Sequence, residues 1–136
     1  MKRLVIVVGC VASLVLLALT LYAVRSWRVH ARTTRFNEEA DNLFVALQKY
    51  KEHVGAYPHG SNREIAEALR GHNPKNIIIL VGRRNNLNEK GEMVDPWGTP
   101  LRIYYSDHGV LVRSAGPNRR FDDSTVPEGD DFFRSN

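Results

Sequence analysis

Between Cys10 and Val54 the chain holds neither glycine nor proline. These two residues interrupt helices most readily, so the segment predicts one continuous helix of about 68 Å at 1.5 Å per residue. Its first part adds a stronger constraint. Leu4 to Val24 (LVIVVGCVASLVLLALTLYAV) is 21 residues without a charge. Such a run spans roughly 30 Å, the thickness of a hydrocarbon core, so a membrane-spanning helix is expected. Signal-peptide apolar regions are shorter, about 7–15 residues, and end in a small-x-small site. This run meets Arg25-Ser26-Trp27-Arg28 instead. Val7-Val8-Gly9-Cys10 also fits the bacterial lipobox pattern, in which Cys10 is lipidated after cleavage, although only six apolar residues precede it. Cys10 is the only cysteine, which excludes an intrachain disulfide and a cysteine-based zinc site.

The second half of the same segment is amphipathic. Phe36, Ala40, Leu43, Phe44, Leu47, Tyr50 and Val54 fall on one helical stripe, and Asn37 to Asp41 supply part of the polar face. Gly55 is a natural residue just past the helix end, and Pro58 follows three residues later. A membrane helix is thus expected to continue into water and lay one face on a domain of about 110 residues.

Ser61 to Gly71 reads as a short helix, with Ser61 and Glu64 at capping-box spacing and Gly71 closing it. Asn76 to Gly82 (NIIILVG) is either a buried strand or a loop packed on the core; periodicity does not decide. Arg83 to Glu92 is a polar loop. Asp95-Pro96-Trp97-Gly98 matches type I turn preferences at its first, second and fourth positions. Pro100 then holds Thr99 extended and leads into a strand with Leu101, Ile103 and Tyr105 on one face. Ser106 to Gly109 turns the chain, and Val110 to Ser114 returns as the second strand of a hairpin. Trp97, at the root of that hairpin, is expected to close the core over the long helix.

Familiar enzyme signatures do not occur. His30, His53, His59, His72 and His108 are scattered without metal-ligand spacing. There is neither a glycine-rich phosphate loop after a strand nor a Gly-x-Ser-x-Gly elbow, and the chain is read as a non-enzyme. Charge is segregated instead. Residues 25–35 carry four arginines and no acid, which suits juxtamembrane contact with anionic headgroups better than nucleic acid, with Trp27 at the interface. Lys2 and Arg3 lie before the apolar run and four arginines after it, so charge alone leans toward a cytoplasmic C-terminus.

Residues 121–136 carry five acids against Arg134. Asp130 and Asp131, beside Asp122, Asp123 and Ser124, offer hard oxygen ligands of the kind Ca²⁺ takes at about 2.3–2.6 Å. The spacing is not that of an EF-hand loop, and a solvated acidic tail is the competing reading.

Taken in order, these segments resemble a family. An apolar helix and its amphipathic continuation lead to ALQKYKEHVGAYP (Ala46 to Pro58), a short helix, DPWGTPLRI (Asp95 to Ile103), VRSAGPN (Val112 to Asn118) and an acidic Gly-Asp-Asp. The chain resembles the major pseudopilin of bacterial type II secretion systems and its type IV pilin-like relatives, best over residues 36–133. The resemblance implies an α+β fold of pilin type, with a long N-terminal transmembrane-plus-amphipathic helix packed on a small antiparallel β-sheet. It divides the chain into a transmembrane segment, 1–25, and a periplasmic domain, 26–136. The latter comprises the helix continuation (26–55), a short helix and variable region (56–94), and the β-hairpin with its acidic loop (95–136). It implies a single-pass inner-membrane protein that works as a structural subunit in protein secretion. Its partners would be copies of itself, other pseudopilins and inner-membrane components. It also implies a Ca²⁺ site in the C-terminal loop, with Asp130 and Asp131 in the paired positions and Ser124 or Asp123 beside them.

Departures from the pattern are specific. Gly9 is the only candidate for the cleavage-site glycine, and the fifth position counted from Cys10 is Leu14 where relatives carry glutamate. Asn118 stands where relatives often have aspartate, and Arg119 replaces the usual glycine. A second reading of the same fold is a non-polymerising, membrane-anchored binding module for DNA or a protein partner, using Arg83, Arg84, Arg113, Arg119 and Arg120.

Overall fold

The computed structural model describes residues 2–80, 87–106, 109–122 and 129–136, with side chains from residue 11 onward. Helix α1 runs Lys2–Val54, helix α2 Asn62–Leu69, and strands β1, β2 and β3 run Arg102–Ser106, Gly109–Ser114 and Phe132–Ser135. The chain forms two compact units, Met1–Arg32 and Thr33–Asn136.

In the first unit α1 is long and apolar enough to cross a membrane, and its apolar window is not covered by the rest of the molecule. Leu14, Leu16 and Leu21 are each more than 60% exposed. Apolar side chains in that state are stable against lipid and costly against water.

The second unit is built on the amphipathic continuation of α1. Phe36, Ala40, Leu43, Phe44, Leu47 and Tyr50 are all buried, Ala46 joins them, and Val54 packs at the edge. Phe36 and Leu47 are 1% and 0% exposed, so each contributes roughly 2–3 kcal/mol of apolar burial. The helix ends where the sequence indicates. Gly55 takes φ +103°, a conformation disfavoured for residues with a Cβ, and its N–H donates to Lys51 O at 2.8 Å.

Helix α2 begins with the expected capping box: Ser61 Oγ accepts from Glu64 N, and Ser61 N donates to Glu64 Oε2 at 2.7 Å. Ile65, Ala66 and Leu69 enter the core. Asn62 ties the start of this helix to a distant segment. Its side-chain amide donates to Met93 O and Leu101 O at 2.9 and 2.7 Å and accepts from Met93 N at 2.6 Å. Of Asn76 to Gly82, the described part, Asn76 to Leu80, is a packed loop and not a strand: Ile79 N and Leu80 N both donate to Leu69 O, and Ile78 stays exposed, while Val81 and Gly82 lie outside the described residues.

The sheet is antiparallel in the order β1-β2-β3. Ile103 pairs with Val112 and Tyr105 with Val110, which places Val110 and Val112 in the core. Asp107 and His108 of the hairpin turn lie outside the described residues. Strand β3 is an addition to the hairpin expected from sequence. Ser114 pairs with Phe132 and Val112 with Arg134. Arg134 then reaches Asp41 on α1 with two hydrogen bonds of 3.0 Å.

The DPWG turn closes as expected, with Gly98 N donating to Asp95 O at 2.9 Å. The partner of Trp97 differs from the expectation. Its ring stacks on Phe132 of β3 (centroids 5.3 Å, interplanar angle 4°), and Phe132 in turn meets Phe36 of α1 at 6.3 Å. The tryptophan therefore reaches the long helix through a residue of the third strand.

Candidate metal centre

The acidic loop lies between β2 and β3, and the register of that pair decides which of its residues meet. Because Ser114 pairs with Phe132, the chain entering β3 passes the chain leaving β2. The approach is close at Gly116, which has φ +65° and is buried. A Cβ there would lie 2.0 Å from Asp130 O, so a side chain is excluded.

Carboxylate oxygens of Asp122, Asp130 and Asp131 converge here, all within 4.8 Å of one another. Backbone groups fix them. Asn118 N donates to Asp130 Oδ2 at 2.9 Å, Asp130 N to Asp122 Oδ2 at 3.0 Å, and Asp122 N to Asp131 Oδ1 at 3.4 Å. Asn118 Oδ1 accepts from Arg120 N at 2.6 Å, holding the rim of the loop in a tight turn.

Arg113 is the basic side of the cluster. Its guanidinium bonds Asp131 Oδ2 and the carbonyl of Asp122, and its face lies against Phe121 and Phe133 at 5.4 and 5.0 Å. The pair is secluded, with side-chain exposures of 12% for Arg113 and 3% for Asp131. A buried pair of this kind is held less by its attraction than by the cost of leaving either partner alone.

The donor set fits a hard divalent cation. Ligands 2.3–2.6 Å from a common centre stand at most about 5 Å apart, which accommodates the observed spacing. Among the described residues, three carboxylates against one guanidinium leave two negative charges, the charge a Ca²⁺ ion would balance. Asp130 Oδ1 is buried and has no hydrogen-bond partner among the described residues, an arrangement that costs free energy unless something else satisfies it.

Of the residues singled out from sequence, the structure brings Asp130 and Asp131 together, while Asp123 and Ser124 lie outside the described residues. Asp122, which the sequence offers beside Asp123 and Ser124 as a neighbour of the pair, completes the cluster. Arg113 belongs to the set of arginines that the second reading assigns to DNA or a protein partner; its commitment to Asp131 removes it from that set. Arg83 and Arg84 lie outside the described residues, and Arg119 and Arg120 are exposed. Arg102 of β1, which pairs with Arg113, lies over Phe121 at 3.9 Å.

No protein-family model, no curated protein and no solved structure matches this chain.

Proposed function

We propose that this protein is a pseudopilin-like, single-pass subunit of a secretion-type fibre or of the platform that assembles it, acting mechanically and not as an enzyme. The observation that carries the reading is the division of labour along α1. One part is uncovered and apolar, and the next is buried under a small antiparallel sheet. A helix of this kind can pass from a bilayer into a bundle of its own copies without changing its apolar surface, while the sheet-bearing unit stays in water. On this reading the inner membrane holds α1 and the second unit is periplasmic. Leu14, where a docking glutamate would be expected, suits a subunit that remains in the membrane, since an uncompensated carboxylate is expensive in lipid.

On the same reading Asp122, Asp130 and Asp131 hold Ca²⁺, and the ion supplies charge neutralisation. Its effect would be to fix the segment leading into β3, whose Phe132 joins Trp97 to Phe36. Disulfide crosslinking through Cys10 in native membranes tests the subunit reading. Crosslinked pairs are expected, and a strictly monomeric chain would reject a fibre. Mass spectrometry of the mature N-terminus separates an intact anchor, cleavage after Gly9 and lipidation of Cys10.

A further inference from the structure

The second half of α1 explains itself by packing, and the apolar run by lipid. The segment between them does neither. Arg25, Arg28 and Arg32 follow directly on Val24, the last residue of the uncharged run. At 100° per residue they fall within about 60° of the helix circumference and span about 10 Å along its axis. All three are exposed, and among the described residues none of them forms an ion pair. Arg35, the next arginine, is different: it pairs with Glu39 at 2.7 Å. Glu38 is the first carboxylate in the chain, so no acid on this helix reaches the three. Trp27, on the other side of the helix, is 76% exposed.

Three guanidinium groups on one helix face form a concentrated site for phosphate, because each presents a planar fork that matches phosphate oxygens in pairs. Their place selects which phosphate. A leaflet's headgroup layer is about 5–7 Å thick, and the arginine face begins where the hydrocarbon-length run ends. Long arginine side chains extend along such a boundary with their charged ends among the headgroups. An exposed tryptophan at the same level is a usual companion of that boundary. We infer that Arg25, Arg28 and Arg32 form a collar that binds the phosphates of anionic phospholipids, selecting them over zwitterionic ones. The inference needs α1 in a bilayer and nothing else of the subunit reading.

The test uses the full chain, reconstituted into vesicles of phosphatidylcholine and of an equimolar mixture with phosphatidylglycerol. Extraction into mild detergent and native mass spectrometry then count the lipids retained. The unmodified chain is expected to retain phosphatidylglycerol over phosphatidylcholine. The triple variant Arg25→Gln/Arg28→Gln/Arg32→Gln should lose that enrichment, by about fivefold for each arginine removed. A control variant, Lys49→Gln/Lys75→Gln/Lys90→Gln, removes three exposed cations elsewhere and should keep it. Flotation with phosphatidylcholine vesicles alone reads insertion of α1 separately from the collar. Equal retention of both lipids by the unmodified chain, unchanged enrichment in the collar variant, or loss of enrichment in the control would overturn the proposal. So would a collar that crosslinks to a second copy of the chain irrespective of phosphatidylglycerol.

Discussion

Ser114 Oγ donates to Asp95 Oδ2 at 2.7 Å, and neither residue is more than 3% exposed. The bond joins the turn before β1 to the end of β2. Asp95 Oδ1 meanwhile accepts from Trp97 N at 3.0 Å and Thr99 N at 2.8 Å, and Gly116 N donates to Ser114 Oγ at 3.1 Å. A buried carboxylate is therefore satisfied by hydrogen bonds alone, and it holds Trp97 on one side and the approach to the acidic loop on the other. Replacing Asp95 by Ala removes the acceptor of the buried Trp97 N–H, of the part-buried Thr99 N–H and of the Ser114 hydroxyl, which keeps only the bond it accepts from Gly116 N, at about 1–3 kcal/mol for each buried group left unsatisfied. The expected loss is about 3 kcal/mol or more for Asp95→Ala and about 1–2 kcal/mol for Ser114→Ala, read from unfolding of the full chain in mild detergent. Two variants as stable as the parent would show that the network contributes nothing net.

The stacking of Trp97 on Phe132 makes the third strand part of the core's closure. Phe132→Ala removes a ring that touches both Trp97 and Phe36, and should cost about 3 kcal/mol. It should also weaken the near-ultraviolet circular dichroism of Trp97, which depends on a fixed ring. Phe133→Ala is the control. That side chain is 54% exposed and points away from the core, so its loss should leave the Trp97 signal unchanged.

Much of this architecture is legible in the chain. The buried face of α1 is written at helical spacing from Phe36 to Tyr50, the α2 cap is written in Ser61 and Glu64, and the hairpin is written in alternation from Leu101 to Ser114. Strand β3 is not. Its four residues begin with two adjacent phenylalanines, which gives no period-2 signal, and acids precede them. Asn62 is silent for another reason: its partners are 31 and 39 residues away, and no local pattern encodes a bond of that span. The loops lie between these cases. Asn73, Asn88, Asp95 and Asn118 each accept a backbone N–H two residues on, and the first three accept a second one four residues on. Short Asx side chains favour that geometry, so these four turns have a common cause visible in residue type. The metal candidate was half legible: the acids stand out, Asp122 among them, but Arg113 acquires its role only through the β2–β3 register.

Stability should fall at both ends of the pH range. The Arg134 hydrogen bond holds the Asp41 carboxyl below its ordinary value, and the Ser61 backbone and side chain do the same for Glu64. Both bind their protons more weakly folded than unfolded. Their contribution is therefore complete above the unfolded carboxylate range, about 4, and declines as pH falls through the lower folded values. Tyr105 acts in the opposite sense. Burial pushes its hydroxyl well above the ordinary phenol value near 10, so its contribution is complete below that value and is lost as pH rises beyond it. Melting temperatures should form a plateau across neutral pH. Arg134→Gln should shrink the acidic decline while leaving the alkaline one in place.

The acidic cluster makes a prediction that separates a cation site from an ion pair. Asp131 serves Arg113 as well as the proposed cation site, so Asp131→Asn removes the counter-charge of a guanidinium with little solvent exposure and should destabilise the chain by about 3 kcal/mol even in chelator, with any calcium increment weakened in addition. Asp130 has a different part. Its Oδ2 accepts from Asn118 N, a bond an amide oxygen can keep, while its Oδ1 is buried without a partner among the described residues. Asp130→Asn should therefore change little in chelator. If Ca²⁺ binds, the unmodified chain melts higher with the ion than with chelator, by an increment that grows with free calcium, and Asp130→Asn loses that increment. Asp122→Asn should weaken it as well. Identical melting of the unmodified chain in both conditions would leave Arg113 as the counter-charge of the cluster among the described residues and reject the site.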